Sequence, residues 1–206
     1  FLTAAEGKEI LDLAEKEDFD FVAVEDLGSV SEHDFTDEHL DAVLSLEAVD
    51  VPAVKAAGFK VVVDAINSVG AVIMPKLLER LGVECITLNS EVTGNFSHNP
   101  EPLPKNLEEL SEKVREEKAD LGISVDPDVD RLALICEDGK PFGEEYTLVS
   151  VADYLLERAY NEALETGKSL DEVCAPYCLA TSSNLSSSRA LRDVTEKFGG
   201  EYFAAA

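Results

Sequence analysis

Up to about residue 57, apolar side chains recur every three or four positions; beyond it they bunch into short continuous runs. Over residues 3–17, Ile10, Leu11, Leu13 and Ala14 stand among Glu and Lys, which predicts an amphipathic helix. Phe19 to Val24 reads as a short strand and Gly28-Ser29-Val30-Ser31 as punctuation. Leu40, Val43, Leu44 and Ala48 mark a second helix, expected to end at Pro52. From Phe59 the pattern changes. Lys60-Val61-Val62-Val63-Asp64 is a β-branched run of the kind buried on both faces of a sheet. Asn67-Ser68 and Gly70 then lead into a helix carrying Val72, Ile73, Leu77, Leu78 and Leu81, closed by Gly82. Val83 to Leu88 is the next strand. Asn106 is expected to cap a further helix, with Glu109 in capping-box position and Leu107, Leu110 and Val114 as its stripe. A strand ending at Val125 follows, and Leu132 to Cys136 is another.

Strand–helix–strand–helix–strand predicts an α/β fold, a parallel or mixed sheet sandwiched by helices with right-handed crossovers. Ligand loops of such sheets lie at the carboxyl ends of strands. Asp64-Ala65-Ile66-Asn67, the long aperiodic loop Asn89 to Lys105, and the segment after Val125 should therefore share one edge. After Gly139 a second unit begins, with Leu148, Val151, Ala152, Tyr154, Leu155 and Leu156 on a helix and Pro176 to Thr181 as a strand. A helix from about Ser186 to Phe198 ends at Gly199-Gly200, and Tyr202-Phe203 starts another strand, giving a truncated second α/β unit.

With 206 residues, the chain can bury a real core in one large or two small domains. Its net charge of −26 repels nucleic acid and anionic lipid, so neither is expected as a partner. Residues 1–57 hold 16 acidic and 3 basic groups, half of that charge, and read as a solvated face. No apolar run reaches about 18 residues, so no membrane helix is expected. Neither a signal peptide nor a Cys-x-x-Cys pair is visible among Cys85, Cys136, Cys174 and Cys178; reduced thiols and a cytoplasmic setting follow, with no zinc site. Cys85 and Cys136 read as buried small hydrophobes. The only methionine is Met74, so the sequence is expected to be a piece of a longer protein.

The chemistry concentrates in Asp126-Pro127-Asp128-Val129-Asp130-Arg131, between two apolar runs. Carboxylates at every second position of a tight loop can converge on one hard cation, and Mg²⁺ takes oxygen ligands while sharing its shell with substrate phosphate. An adjoining Arg offers a planar fork for phosphate oxygens. A helix–loop–helix calcium site matches at Asp126, Asp128, Asp130 and Glu137, yet Arg131 stands where the turn wants Gly and the flanks are strand-like. A non-catalytic metal-binding α/β module is the other alternative.

This loop resembles the metal-binding loop of the α-D-phosphohexomutase superfamily. Val62 to Gly70 is similar to the strand and turn that open the family's second domain. Gly94-Asn95-Phe96-Ser97-His98-Asn99-Pro100-Glu101-Pro102 resembles its Phe-Pro-x-His-x-Pro-x-Pro loop, and Ala119-Asp120-Leu121-Gly122 its approach to the metal loop. The motifs occur in the family's order. The resemblance implies residues 1–27 as the tail of a first domain, 28–142 as the complete second and 143–206 as the start of the third, where Ser183-Asn184-Leu185 is similar. It implies a phosphorylated hexose as substrate, with phosphate moving between the 1- and 6-positions through an active-site phosphoserine and a bisphosphorylated sugar. Mg²⁺ on Asp126, Asp128 and Asp130 would neutralise charge on the transferring group, and Arg131 would hold a phosphate oxygen.

The family's phosphoserine lies in a Thr-Ala-Ser-His-Asn-Pro loop, which Ser97-His98-Asn99-Pro100 matches in its last four residues. Asn95-Phe96 precedes them here, and the position belongs to the wrong domain, so Ser97 is not expected to be the nucleophile and the chain alone is expected to be inactive. For His98 a local backbone hydrogen bond is expected ahead of the alternative, a place lining the active-site edge. For Asp64, Asn67 and Ser68, turn bonding and positioning of the active edge stay equally open. Arg189 and Arg192 read as surface residues. A phosphomannomutase/phosphoglucomutase is the preferred reading and a phosphoglucosamine mutase the alternative; the oligomeric state is not legible.

Overall fold

The computed structural model describes residues 2–17, 19–174 and 179–205, and the chain divides into two compact units, Phe1–Phe35 and Thr36–Ala206. In the first unit, helix α1 (Ala4–Glu15) starts from a capping box. The Glu6 N–H donates to Thr3 Oγ1 at 3.3 Å, and Glu6 Oε2 accepts from the Thr3 N–H at 2.8 Å. The strand expected over Phe19 to Val24 does not form. Residues 19–23 are irregular, a 3₁₀ turn spans Val24–Asp26, and Phe21 is 84% exposed. An isolated segment has no ladder to satisfy its backbone, and nothing among the described residues pairs with this one.

The second helical pattern is two helices, α2 (Thr36–Leu44) and α3 (Val51–Ala57). Pro52 opens α3 instead of ending α2, because a first-turn proline gives up a donor that has no helical partner anyway. Asp50 caps α3 by accepting from the Ala53 N–H at 2.9 Å. The order continues as expected: β1 (Lys60–Asp64), α4 (Gly70–Arg80), β2 (Glu84–Leu88), α5 (Glu108–Glu117), β3 (Leu121–Val125) and β4 (Leu132–Cys136). Gly82 follows α4 at φ +66°, the left-handed position that ends a helix. Asn106 is not the cap of α5. It sits in a 3₁₀ turn, Pro104–Asn106, and its amide donates to the Glu101 carbonyl; the fully buried Leu107 fixes the helix entry instead.

The four strands lie in the order β2-β1-β3-β4, with β1 parallel to β2 and to β3, and β4 antiparallel to β3. Because β2 and β3 flank β1 on opposite sides, right-handed crossovers send α4 and α5 to opposite faces. The core confirms this division. Val61, Val63, Ile123 and Val125 pack with Met74 and Leu78 of α4, whereas Val62 and Ile135 pack with Leu110 and Val114 of α5. That two-sided burial is why the β1 run is continuous rather than alternating. Helix α5 lies flush on β3 at Gly122, where an added Cβ would sit 2.7 Å from Val114 Cγ2 and 2.9 Å from Ile135 Cβ. Cys85 and Cys136 are half-buried rather than buried, and both are free thiols.

The remaining elements are α6 (Tyr146–Thr166), α7 (Leu170–Cys174), β5 (Ala180–Asn184), α8 (Ala190–Lys197) and β6 (Glu201–Ala205). Strands β5 and β6 form a parallel two-stranded sheet on which Val149, Ala152 and Leu191 make a small core. The strand expected from Pro176 begins at Ala180; Pro176 to Cys178 lie outside the described residues, as do Phe1 and Ala206. Helix α8 begins four residues later than expected, because Asn184 Oδ1 accepts from Ser186 N and from the Ser186 and Ser187 hydroxyls, holding that stretch as a turn. The Tyr154 hydroxyl donates to the Ala48 carbonyl at 3.3 Å, and Arg158 Nη1 to that of Glu47 at 2.9 Å, tying α6 to the α2–α3 connection. Among the described residues no helix is long and apolar enough to cross a membrane.

Candidate metal centre

The chain leaves β1 toward β2 on one side and returns to β3 on the other, so the loops after β1 and β3 diverge from a crevice at the carboxyl ends of the strands. Six residues, Asp126 to Arg131, connect β3 to β4 there. Asp126, 1% exposed, is the template of this loop. Its Oδ1 accepts from the N–H groups of Asp130 and Arg131, both at 3.0 Å, and its Oδ2 accepts from Arg131 Nε at 2.8 Å. Asp128 and Asp130 are exposed. Val129 between them adopts φ +62°, a costly conformation for a β-branched residue, held while its side chain packs on the core cluster of β1 and α4.

Asp126, Asp128 and Asp130 each offer one carboxylate oxygen, all within 4.8 Å of one another. Adjacent oxygens on an octahedral Mg²⁺ at about 2.1 Å lie about 3.0 Å apart, so the exposed Asp128 and Asp130 side chains would close by up to about 2 Å on the buried Asp126. Three hard oxygen donors fit that ion. The titration of the pair Asp126–Asp130 is divided by their surroundings. Burial raises Asp126, but the Arg131 backbone N–H and guanidinium outweigh it and hold this carboxyl below its ordinary range. Asp130 is pushed up by its bond to Asp126 and by repulsion from Asp128 and Asp126.

Arg131, 47% exposed, does not point free into solvent. Besides Asp126 it grips Glu101, with Nη1 donating to Oε2 at 2.5 Å. Its protonated form is favoured by bonds to Asp126 and Glu101. Glu101 lies on the loop after β2, and the two other loops are stitched to that loop and to each other. The Ser68 hydroxyl donates to the Pro127 carbonyl at 2.7 Å, midway between two of the acidic residues. Asn67 donates from Nδ2 to the Asn95 carbonyl and accepts at Oδ1 from the Glu91 N–H. Ile66 and Asn67 hold left-handed conformations, φ +46° and +54°, under this bonding.

Asp64, at the end of β1, is 1% exposed. Its Oδ1 accepts from the Ile66 N–H and Asn89 Nδ2, both at 3.1 Å, and its Oδ2 lies 2.8 Å from His98 Nε2. The local backbone bond expected for His98 is present, Nδ1 to the Asn99 carbonyl at 2.9 Å, but the bond to Asp64 was not legible. Ser97 is exposed on the same loop, between β2 and α5. Arg192 pairs with Asp193 and Glu196 on the surface of α8, away from these loops in sequence and element.

Burial lowers the His98 pKa, but the bonds to Asp64 and to the Asn99 carbonyl outweigh it and leave it raised. A histidine raised in the folded state stabilises fully below its unfolded value of about 6.5 and loses that contribution as pH rises through the folded value. The urea midpoint of the parent should therefore exceed that of His98→Gln by more at pH 5.5 than at pH 8.5. An equal gap at both pH values would show that the Asp64–His98 bond is neutral.

The chain is similar to several known proteins. Residues 37–139 match the family model described as phosphoglucomutase/phosphomannomutase, alpha/beta/alpha domain II. A probable phosphoglucosamine mutase of Methanopyrus kandleri is 38% identical over 120 residues, 58% of this chain and 25% of that protein. A phosphomannomutase/phosphoglucomutase of Pseudomonas aeruginosa is 48% identical over 86 residues, 41% of this chain and 19% of that one. The chain thus spans about a quarter of the length of such curated relatives. A solved phosphoglucomutase/phosphomannomutase family protein from Burkholderia thailandensis shares the fold, with a TM-score of 0.71 at 22% identity, over 98% of this chain and 39% of that one.

Proposed function

The chain belongs to the phosphoglucomutase/phosphomannomutase family, and from that premise we propose that it supplies the divalent-cation loop of an enzyme moving phosphate between the 1- and 6-positions of a hexose phosphate. The observation that carries this reading is the convergence of Asp126, Asp128 and Asp130 beside Arg131 at the carboxyl edge of the sheet. Asp126, Asp128 and Asp130 would hold Mg²⁺, which when bound neutralises charge on a transferring phosphoryl group. Asp126 orders the loop and the guanidinium together. Arg131 meets a phosphate oxygen pair of the sugar, and Asp64 with His98 anchors the loop that borders it.

The phosphoryl donor is a serine other than Ser97. The Ser97 loop belongs to the α/β unit that would hold the cation, with Asn95-Phe96 ahead of Ser97, and phosphate mapped to Ser97 in the enzyme would overturn this assignment. Residues 1–27 are then the tail of a first domain, 28–142 the complete second and 143–206 the start of a third. For the sugar, a phosphomannomutase/phosphoglucomutase activity is preferred, with phosphoglucosamine mutase as the second reading because relatives carry both names. The chain by itself is expected to bind one Mg²⁺ in a calorimetric titration and to convert neither glucose 1-phosphate nor mannose 1-phosphate in a coupled assay. Measurable conversion would refute the placement of the donor serine elsewhere, and absence of Mg²⁺ binding would remove the metal loop from the proposal.

A further inference from the structure

We infer that Glu101 is a positioning residue for Arg131, holding its guanidinium over the metal loop so that the uncommitted N–H donors meet a phosphate group. The inference rests on the phosphate role proposed for Arg131. Two carboxylates from different loops grip two of the guanidinium nitrogens: Asp126 Oδ2 takes Nε at 2.8 Å, and Glu101 Oε2 takes Nη1 at 2.5 Å. A single partner would leave the planar group free to swing about that bond, whereas two partners on separate supports fix its plane. Of the five donors of the fork, three then have no protein partner among the described residues, which suits a pair of phosphate oxygens.

The arm that carries Glu101 is itself fastened. Its N–H donates to Asn99 Oδ1 at 3.0 Å, and its carbonyl accepts from Asn106 Nδ2 at 2.8 Å and from the Leu103 N–H at 2.7 Å. Three residues upstream, His98 is bonded to the buried Asp64. So the carboxylate is presented from a stiff support, not from a wandering surface chain. The Glu101 and Arg131 side chains are 49% and 47% exposed, and pairs that exposed add little to stability. The effect of Glu101 therefore falls on the order of Arg131 and on ligand affinity, not on folding.

The test uses the 206-residue chain, Glu101→Ala and Glu101→Gln, with the NMR order parameter of the Arg131 Nε–H as readout. It should lie near the rigid value of about 0.85 in the parent and fall below about 0.6 in Glu101→Ala. Glu101→Gln, whose amide oxygen still accepts, should stay near the parent, with melting temperatures unchanged in all three. Titration with Mg²⁺ and a hexose 1-phosphate, followed at the same resonance, should weaken about tenfold in Glu101→Ala if the competent pose falls to about a tenth of the population. Glu101→Gln should weaken less than about threefold, because its pose is largely kept. An Arg131 that stays ordered in Glu101→Ala overturns the positioning role, as does equal weakening by both variants, which would make charge alone the cause. An ordered parent Arg131 that ignores the sugar phosphate overturns the phosphate reading instead.

Discussion

Asp128→Asn is expected to lower Mg²⁺ affinity by at least about 100-fold, since loss of outer-sphere partners alone costs about 10–100-fold, while the melting temperature stays where it was. Asp128 is exposed, and its carboxylate makes none of the bonds that close the Asp126–Arg131 loop. Exposed substitutions away from such bonds fall within about 0.5 kcal/mol. In the complete enzyme, turnover should fall in parallel, because the site would lose charge needed to hold the cation. Asp126→Asn gives the contrast. The carboxylate of Asp126 accepts three hydrogen bonds, including the Arg131 guanidinium, and an amide presents one nitrogen where both positions must accept. That variant should lose metal affinity and stability together. Calorimetric Mg²⁺ titration beside thermal unfolding separates the two, and an Asp128→Asn that binds Mg²⁺ like the parent would strip the trio of its role.

How much of this site the sequence discloses depends on distance along the chain. The acidic trio is legible because its members are neighbours framed by two apolar runs, and the hairpin between β3 and β4 follows from those runs. The shared edge of three loops is also legible, since it follows from the parallel order of β1, β2 and β3. What is not legible is which side chains meet across that edge. Ser68 with Pro127, Asp64 with His98 and Glu101 with Arg131 pair residues 59, 34 and 30 positions apart. No periodicity encodes such pairs, because they depend on where an aperiodic loop folds back over the sheet. Errors of local structure have the same origin. Phe19 to Val24 has strand-like residues but no neighbour to pair with among the described residues, and Asn106 has the side chain of a cap but spends it on Glu101. Propensity proposes and tertiary contact decides.

The largest loss of stability at the site is expected from Asp64→Ala, about 3 kcal/mol by urea unfolding with faster hydrogen exchange over residues 89–105. The carboxylate is 1% exposed and accepts from the Ile66 N–H, Asn89 Nδ2 and His98 Nε2. Each buried donor left without an acceptor costs about 1–3 kcal/mol, but Asn89 and His98 are only part-buried and can turn to water, which keeps the sum near the figure for one or two groups. Asp64→Asn distinguishes a structural bond from a charged one. Its Oδ1 can still accept from Ile66 and Asn89, but its Nδ2 then faces His98 Nε2, a pairing that needs the neutral ring with its proton on Nδ1. The deficit of Asp64→Asn relative to the parent should therefore grow as pH falls through the titration of His98, in keeping with the raised pKa of the parent histidine. A deficit that is flat with pH would mean that the ring is neutral in the parent too. Full stability in Asp64→Ala would mean that the loop after β2 is held by Asn67 and Glu101 alone.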